Sequence, residues 1–261
     1  MILIAESKTM SSVEEAISRE EFEKFCPLYE ECADAIMYSL RDRDTEQLAA
    51  EAGITPRLAV ALRRMIYEFP DKSMGIRTIE AFTGVVFRQL GLAEYDEVQR
   101  EFLNHNVRII SSLYGWLRPD DIIKPYRFDF NSRVAPGGDT LMKYWKRDVT
   151  IAVVKELQSN HDACIIDLLP SDASKCVDWK LVKRFARVYR VDFKTITGIS
   201  TMKTPNAGRL KELRGHLLDQ IIRQRLSSPS DIASLESSDI VGFMPDPSGP
   251  RLPSELSFVT A

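Results

Sequence analysis

Short, continuous apolar runs along the chain predict buried β-strands. Met1 to Ala5 is one such run, and Asp162 to Leu169 is another. Arg187 to Thr197 alternates apolar and polar residues, as a strand with one covered face does. Apolar runs of about four to eight residues, rich in β-branched side chains and bounded by loops, are typical of strands. Two shorter runs, Ile240 to Met244 and Leu256 to Val259, predict further strands.

Apolar residues at helical spacing predict the rest of the regular structure. Between about Ser12 and Arg43 the apolar positions recur at helical intervals, with a break near Pro27. Glycine and proline clusters such as Pro136-Gly-Gly138 separate the predicted elements. The other predicted helices are Ile76 to Leu90 with breaks at Gly84 and Gly91, Tyr95 to Tyr114, Thr140 to Gln158 and Lys211 to Leu226, and Gly198 to Gly208 is predicted to be a loop.

A helical hairpin is predicted at about residues 45–67. Its first helix begins with Thr45 as N-cap, a tight turn follows at Gly53-Ile54-Thr55, and Thr55 caps a second helix with Pro56 at the favoured first position. In a helix-turn-helix, the second helix would enter a major groove. In a helix-hairpin-helix, the turn amides and the following helix N-terminus would hold a phosphate. Such helix pairs are also common in proteins that bind no nucleic acid, so all three interpretations stay open.

The segment from Val107 to Phe130 combines aromatic residues, cations and two prolines. Val107, Ile110, Leu113 and Tyr114 recur at helical spacing, so we expect the segment to begin as a helix that ends near Gly115. Pro119 and Pro125 forbid its continuation. The residues that the following non-helical loop would then display are Trp116, Arg118, Tyr126 and Arg127.

These side chains suit a phosphate-bearing or base-bearing ligand. Arginine makes planar, two-pronged contacts with phosphate, and aromatic rings stack on bases. The alternative is that the aromatic residues are core pieces, and we favour packing for Tyr114, Trp116 and Trp145. For Lys8, Arg118 and Arg127 we favour a functional role.

The charge of the chain is unevenly distributed. The 261 residues carry a net charge of −3 and are 44% hydrophobic, which is ordinary for one globular domain. Residues 11–51 hold twelve acidic residues against four basic ones, whereas residues 180–225 hold twelve basic residues against three acidic ones. The near-neutral total therefore conceals a cationic region that could attract phosphates. We expect a single domain spanning residues 1–261.

Cysteine and histidine spacing indicates no metal site. Cys26, Cys32, Cys164 and Cys176 fit no zinc pattern, and the three histidines are scattered, so neither a metal nor a cofactor is expected. Thiol sensing by Cys26 or Cys32 would need a lowered thiol pKa. Acidic neighbours such as Glu30 would raise that pKa instead, so we favour simple packing.

The sequence predicts a cytoplasmic protein without membrane contact. No stretch approaches the roughly 20 apolar residues that cross a bilayer. The apolar N-terminus meets Glu6 and Lys8 before an apolar signal region develops, so no signal peptide is expected. The reduced state is therefore the expectation for the four cysteines.

Cations follow or flank several of the predicted elements. Lys8 follows the first strand, Lys175 follows the second, and Arg214 opens the basic helix. If the two strands are neighbours in one sheet, Lys8 and Lys175 emerge at the same edge, because loops at strand ends carry the ligand sites of such proteins. With Arg118 and Arg127, we expect these residues to form a cationic cleft.

The run Leu113-Tyr-Gly-Trp-Leu-Arg-Pro119, followed by Pro125-Tyr-Arg127, resembles the central signature of the YaaA family of bacterial peroxide-stress proteins. The resemblance extends over nearly the whole chain and is weaker between residues 11 and 70. Other matching patches are Ile2-Leu-Ile4, Lys8-Thr9, Phe82-Thr-Gly84, Tyr144-Trp145, Lys175, Arg214-Gly215, Ile221-Ile222 and Arg225-Leu226.

The resemblance implies an α+β fold, with a mixed central sheet surrounded by helices and a helix-hairpin-helix-like element at the hairpin. It also implies that the matching positions form the functional surface. Those positions, expected to bind nucleic acid or phosphate, are Lys8, Thr9, Arg118, Tyr126, Arg127, Lys175 and Arg214.

This chain departs from the family pattern at several polar positions. The family usually has Ser-Pro-Ala-Lys-Thr where this chain has Ala5-Glu-Ser-Lys-Thr9. It usually has Asp-Val-Tyr where this chain has Val85-Val-Phe87, and a Glu and a Tyr where this chain has Asp172 and Ala173. The cations remain while several polar partners are lost, so we expect the chain to keep phosphate binding and to differ in finer chemistry.

Three functions are compatible with these features. The leading hypothesis is a cytosolic stress protein that binds DNA through the cationic cleft, helped by the hairpin, and that limits iron-driven oxidative damage, as the family resemblance implies. The alternative is an enzyme acting on a small phosphate-bearing ligand such as a nucleotide, with Asp172 or Tyr126 in acid and base roles. Because no catalytic triad, Walker motif or dinucleotide motif is present, we favour a binding protein over an enzyme. The third is a structural or partner-binding protein.

Overall fold

The computed structural model describes residues 1–12, 14–158, 164–198, 201–236, 240–243 and 255–260. The strands are β1 Ile2–Ala5, β2 Glu15–Ala16, β3 Met74–Arg77, β4 Val107–Ser111, β5 Gly115–Leu117, β6 Ile122–Ile123, β7 Cys164–Asp167, β8 Arg187–Gly198, β9 Thr201–Lys203, β10 Ile240–Phe243 and β11 Glu255–Thr260. The helices are α1 Arg19–Lys24, α2 Glu30–Ser39, α3 Thr45–Ala52, α4 Pro56–Glu68, α5 Thr78–Ala81, α6 Val85–Arg88, α7 Glu97–Asn106, α8 Leu141–Leu157, α9 Ser171–Ser174, α10 Trp179–Val182, α11 Ala207–Gln224 and α12 Pro229–Ala233, with a short 3-10 helix at Leu92–Glu94.

A mixed eight-stranded sheet runs through the centre of the fold in the order β10-β11-β8-β7-β1-β4-β5, with β9 paired to β8. Strands β11, β8, β7, β1 and β4 are parallel neighbours, and β10, β9 and β5 pair antiparallel. All four residues of β1 are buried, as expected for a strand covered on both faces. The predicted α+β class, a mixed central sheet surrounded by helices, is confirmed.

The predicted strands are confirmed wherever the structure describes them. The run from Asp162 to Leu169 forms β7 at Cys164–Asp167, and its first two residues lie outside the described part. Arg187 to Thr197 forms β8. The two late runs form β10 and β11, and Met244 lies outside the described part. The prediction of an uninterrupted loop at Gly198 to Gly208 is wrong, because β9 folds back onto β8 and satisfies its backbone groups there.

Most of the predicted helices are confirmed with shifted bounds. The region from Ser12 to Arg43 contains α1 and α2, separated by the expected break near Pro27. Thr140 to Gln158 contains α8, and Lys211 to Leu226 lies largely within α11. The helix expected at Ile76 to Leu90 is wrong at its start, where β3 pairs with β2 and β6 and buries Gly75 and Ile76. Two short helices, α5 and α6, follow, and Gly84 separates them.

The helix expected to continue from Tyr95 through Tyr114 ends at Asn106. Residues Val107–Ser111 form β4 instead, all of them buried, and pair in parallel with β1. Gly115 then adopts a φ of +69°, and the chain returns antiparallel as β5. The apolar positions of a short β-branched run fit helical and strand spacing alike, and pairing with a central strand favours the strand.

The helical hairpin forms as two helices, α3 and α4, around Gly53, which has a φ of +68°. Thr55 and Pro56 occupy the predicted cap and first helical positions of α4. The predicted first cap is wrong. Asp44 rather than Thr45 caps α3, because its carboxylate accepts from the Gln47 backbone N–H while the Gln47 side chain accepts from Asp44 N–H.

Tyr114, Trp116 and Trp145 pack in the core, as expected. Tyr114 and Trp145 have no exposed area and Trp116 is only 3% exposed. Trp145 Nε1 donates to the Ser112 carbonyl oxygen at 2.7 Å, which satisfies the indole of a fully buried ring. In the described part of the chain no helix has the length and apolar character required to cross a membrane.

We predict that Gly115→Ala is much more destabilising than Gly53→Ala. Both glycines share the left-handed conformation, whose cost for alanine is about 1–2 kcal/mol. A Cβ at Gly115 would also lie 2.5 Å from the Trp145 ring, whereas a Cβ at Gly53 would meet nothing within 4 Å. Overpacking adds about 1–3 kcal/mol at Gly115 alone. Denaturant unfolding of both variants measures the difference, and equal losses of unfolding free energy would contradict this packing.

Candidate functional site

The carboxyl ends of three parallel strands meet at one edge of the sheet. Strand β1 pairs with β7 through Leu3 and Asp167, and with β4 through Ala5 and Ile110. Because parallel strands run in the same direction, the loops that follow β1 and β7 emerge side by side. The two strands are thus neighbours in one sheet, and this edge is where α/β sheets usually bind ligands.

A cavity of about 470 Å³ opens at this edge. We call it the edge pocket. Five segments line it: residues 4–9 at and after the end of β1, residues 83–88 around α6, residues 129–130, residues 168–172 after β7, and α11. Much of its wall is apolar, including Ile4, Val86 and Phe87. An apolar cavity with a few polar groups is the common form of a small-ligand site.

Four cations line the edge pocket: Lys8, Arg88, Lys211 and Arg214. Lys8 Nζ lies 2.8 Å from Asp129 Oδ2, but the Lys8 side chain is 67% exposed. Exposed ion pairs contribute little free energy, so an anionic ligand could replace Asp129 at small cost. Lys211 and Arg214 are one turn apart on α11 and therefore share a helix face.

Arg214 is the least satisfied of these cations. Its Nε is buried and has no hydrogen-bond partner among the described residues. Burial and then the nearby Arg190 lower the pKa of Arg214. A buried donor without an acceptor is costly, so an anion bound in the edge pocket would relieve this cost.

Two glycines allow the walls of the edge pocket to approach each other. A Cβ at Gly84 would overlap the Ser7 side chain, and a Cβ at Gly215 would lie 2.5 Å from the Val86 carbonyl oxygen. Gly215 therefore lets α11 pack against α6 and brings its neighbour Arg214 to the pocket. The loop after β1 is held in place as Thr83 N–H donates to the Thr9 carbonyl oxygen at 2.9 Å.

Glu6 is a half-buried carboxyl group in the wall of the edge pocket. Its Oε2 accepts from Ser112 N–H at 2.7 Å and from the Tyr126 hydroxyl. Burial raises the pKa of Glu6 to about 7, although the hydrogen bonds from Ser112 and Tyr126 oppose the shift. Glu6 therefore exchanges its proton near neutral pH.

Tyr126 belongs to the frame of the site rather than to its lining. The residue is 3% exposed and lies among the rings of Phe82, Tyr114 and Phe128. Its hydroxyl lies 2.7 Å from Ser111 Oγ as well as contacting Glu6. Burial raises the Tyr126 pKa far above its ordinary value, so the phenol stays protonated. Base stacking or direct phosphate contact by Tyr126 would require the core to open.

The other predicted site residues divide into two groups. Lys8, Thr9 and Arg214 line the edge pocket. Arg127 lies behind it, and its guanidinium donates to the Lys8 carbonyl oxygen, which holds the loop. Lys175 is exposed at the end of α9, past Asp172, and does not line the pocket.

The expected convergence of Arg118 with these residues is wrong. Leu117 pairs with Ile109 and Gly115 with Ser111, so β5 runs away from the pocket edge. Arg118 therefore emerges towards the opposite edge of the sheet, where its N–H donates to Asp121 Oδ2 at 2.7 Å. The error follows from reading β4 and β5 as one helix and its outgoing loop.

Four residues that line the pocket were not predicted as site residues from the sequence: Glu6, Arg88, Asp129 and Lys211. For two of them, the position in the sequence could have indicated a place in the site. Glu6 directly follows the predicted first strand, as Lys8 nearly does, and Lys211 precedes Arg214 by one helical turn. Arg88 and Asp129 had none, because only the tertiary fold brings their segments to this edge.

The family model described as peroxide stress protein YaaA matches residues 1–245 of the chain. The chain belongs to the YaaA family. The match confirms the resemblance drawn from the signature segment around Trp116 and the patches near Lys8 and Arg214.

Similar proteins confirm that the chain is a divergent YaaA-family member. A UPF0246 protein of Parabacteroides distasonis is 26% identical over 235 residues, covering 88% of this chain and 89% of that protein. One from Francisella philomiragia is 24% identical over 243 residues, covering 92% and 93%. One from Fusobacterium nucleatum is 30% identical over 171 residues, covering 64% and 63%.

The departures from the usual YaaA-family pattern fall in the edge pocket. Glu6, Ser7, Val85, Phe87 and Asp172 all line it. The exception is Ala173, which is buried beside it. The chain has therefore changed the surface that a ligand would contact while keeping Gly84, Gly215 and the aromatic frame.

The turn of the helical hairpin lies outside the edge pocket. Gly53 N–H and Ile54 N–H both donate to the Ala49 carbonyl oxygen, so two of the three turn amides are already used. The hairpin packs beside the 129–133 segment, since Ser132 Oγ donates to the Ala52 carbonyl oxygen at 2.8 Å. Gly53 and Thr55 are exposed, and whether the hairpin binds phosphate stays a prediction.

Two of the four cysteines, Cys26 and Cys176, have raised thiol pKa values. All four are free, and Cys176 is buried. Burial and the charge of Glu30 raise the pKa of Cys26 to about 11, the direction expected from its acidic neighbours. Within the described residues no group of three or more histidine, cysteine, aspartate or glutamate side chains is placed to hold a metal ion.

Proposed function

We propose that this YaaA-family protein, a single domain over residues 1–261, binds a small phosphate-bearing ligand in the edge pocket as part of the peroxide-stress response. The observation that carries the proposal is the cavity of about 470 Å³ lined by Lys8, Lys211 and Arg214. Small-ligand pockets measure about 300–1,000 Å³. A nucleotide-sized molecule suits this volume.

The chemistry of the lining supports a ligand with a charged end and an apolar body. Arg214 offers a planar guanidinium with an unused Nε, and Lys211 and Lys8 offer mobile point charges. Phe87, Phe130 and Pro170 supply apolar surface for the body of the ligand. An enzymatic reaction on such a ligand extends this hypothesis. Asp172 would then transfer the proton, because it lines the pocket whereas Tyr126 is buried.

A second candidate function is DNA binding, and the exposed N-terminus of α4 favours it. Thr55 makes no side-chain cap, and the first N–H groups of a helix have no partner within the helix. The exposed Arg57 follows in the first turn. Duplex recognition buries about 1,000–2,500 Å² of open surface, so we propose this hairpin surface, with the pocket rim at Lys8, as the DNA contact.

We also propose, from the role that the family resemblance implies, that the protein acts in the cytoplasm to limit iron-driven oxidative damage without storing iron itself. A strain that lacks the protein should then contain more free intracellular iron after peroxide exposure, measured by electron paramagnetic resonance of whole cells. Equal iron signals in the mutant and parent strains would contradict this role.

For the edge pocket, we predict that Arg214→Ala weakens binding of adenosine monophosphate at least about tenfold, because one charge-assisted contact contributes about 1.5–3 kcal/mol. Arg147→Ala is the matched control: it removes the same charge from the exposed surface of α8, outside the pocket. Isothermal titration calorimetry measures both. Equal affinities of the two variants would exclude Arg214 as a ligand contact.

For DNA, we predict that binding of a short duplex falls linearly on a log-log plot against salt concentration, as counterion release requires. Arg57→Ala should weaken duplex binding and leave adenosine monophosphate binding intact, and Lys8→Ala should weaken duplex binding if the pocket rim takes part. Fluorescence anisotropy across a salt series measures this. Salt-independent binding, or wild-type affinity in both variants, would rule out this surface.

A further inference from the structure

Two carboxyl groups of the edge pocket, Glu6 and Asp172, make no ion pair in the part of the chain that the structure describes. Asp129, also in the pocket wall, is paired with Lys8 at 2.8 Å. Glu6 Oε2 is instead held by two neutral donors, Ser112 N–H and the Tyr126 hydroxyl. Its position is therefore fixed by the frame of the site.

The groups that face Glu6 from each neighbouring element do not neutralise a negative charge there. Strand β4 and its end present the hydroxyl-bearing Ser111 and Ser112, and the 124–130 segment presents Tyr126 and Asp129. Cys176, after α9, lies close enough for Glu6 to help raise the thiol pKa, although burial is the larger cause. These contacting groups are neutral or, in the case of Asp129, anionic, whereas the cations Lys8, Arg88, Lys211 and Arg214 line other parts of the pocket wall.

The two acids near Lys8 differ in their protonation. Burial acts to raise the pKa of Asp129, but the hydrogen bond from Lys8 and the backbone donors hold it below its ordinary value. Burial raises the pKa of Glu6 to about 7. Of these two acids, Glu6 is therefore the one that can take up a proton near neutral pH.

We propose that Glu6 is a ligand-contacting residue of the edge pocket and that it binds a proton together with an anionic ligand. The inference rests on the proposed phosphate-binding function. An anion held by Lys211 and Arg214 would repel an ionised Glu6 across the same cavity. A protonated carboxyl group removes that repulsion and donates a hydrogen bond to the anion from Oε1. The ligand class is then an oxyanion with an acceptor oxygen facing β1.

The consequence is a one-proton dependence of affinity on pH. The dissociation constant should stay constant below about pH 6 and rise up to tenfold per pH unit above about pH 7, because the proton must be acquired from solution there. Sulfate is the probe, since it carries two charges across this range and does not itself titrate. Lysine and arginine keep their charge over the same range.

The test compares wild type, Glu6→Gln and Asp139→Asn by titration calorimetry with sulfate from about pH 5.5 to about pH 9. Glu6→Gln should bind with the low-pH affinity of wild type at every pH, because the amide also donates a hydrogen bond and is neutral. Asp139→Asn removes an exposed carboxylate outside the pocket and should keep the pH dependence. Wild-type titrations in two buffers of different ionisation enthalpy should show about one proton taken up near pH 8.

Each outcome has a distinct meaning. A wild-type affinity that does not change with pH, an unchanged pH dependence in Glu6→Gln, or no proton uptake would overturn the role of Glu6 and leave the phosphate-binding proposal standing. No sulfate binding by wild type even at low pH would overturn both. Because proton uptake is measured on the wild-type protein, the inference is tested even if Glu6→Gln does not fold.

Discussion

The parallel pairing of β1 with β4 and β7 is the constraint on which the rest of the site depends. The four residues Ile2–Ala5 are buried between these two parallel strands. Their register with the strands determines where the chain leaves the sheet. Glu6 N–H donates to the Ile110 carbonyl oxygen and Leu168 N–H to that of Leu3, which extends the pairing into the outgoing loops. The edge pocket lies where these loops end.

Close packing of helix α11 against α6 forms one wall of the pocket at this edge. Helix α11 closes one side because Gly215 permits its approach to α6. The same helix is anchored further along by Asp219, which accepts hydrogen bonds from the Tyr95 hydroxyl at 2.6 Å and from Gly91 N–H at 2.9 Å. The cations on its first two turns are therefore positioned by packing that lies outside the site.

The sequence predicted those parts of the fold in which local pattern and tertiary environment agree. The apolar run of β1, the Leu213 and Leu217 stripe of α11 and the turn at Gly53 each have one plausible structure, and they form it. The apolar run that begins at Val107 has a spacing that suits a helix, and only its pairing with β1 favours a strand. That one error also misplaced Arg118.

The candidate site was predictable to the extent that its residues follow strands. Lys8 was found from its place after β1, and Arg214 from the family pattern. Asp129 and Arg88 reach the pocket only through contacts between segments far apart in the chain, which periodicity does not encode. The positions at which this chain departs from the family pattern lie mainly in the lining of the edge pocket. The supporting frame is therefore common to the family, whereas the surface that would contact a ligand is specific to this chain.

A crystal structure of the protein grown with adenosine monophosphate tests ligand binding in the edge pocket. We expect a phosphoryl group within hydrogen-bonding distance of the Arg214 guanidinium and Lys211 Nζ, with the body of the ligand against Phe87. A ligand bound only at the α3–α4 turn, with none in the edge pocket, would contradict this expectation.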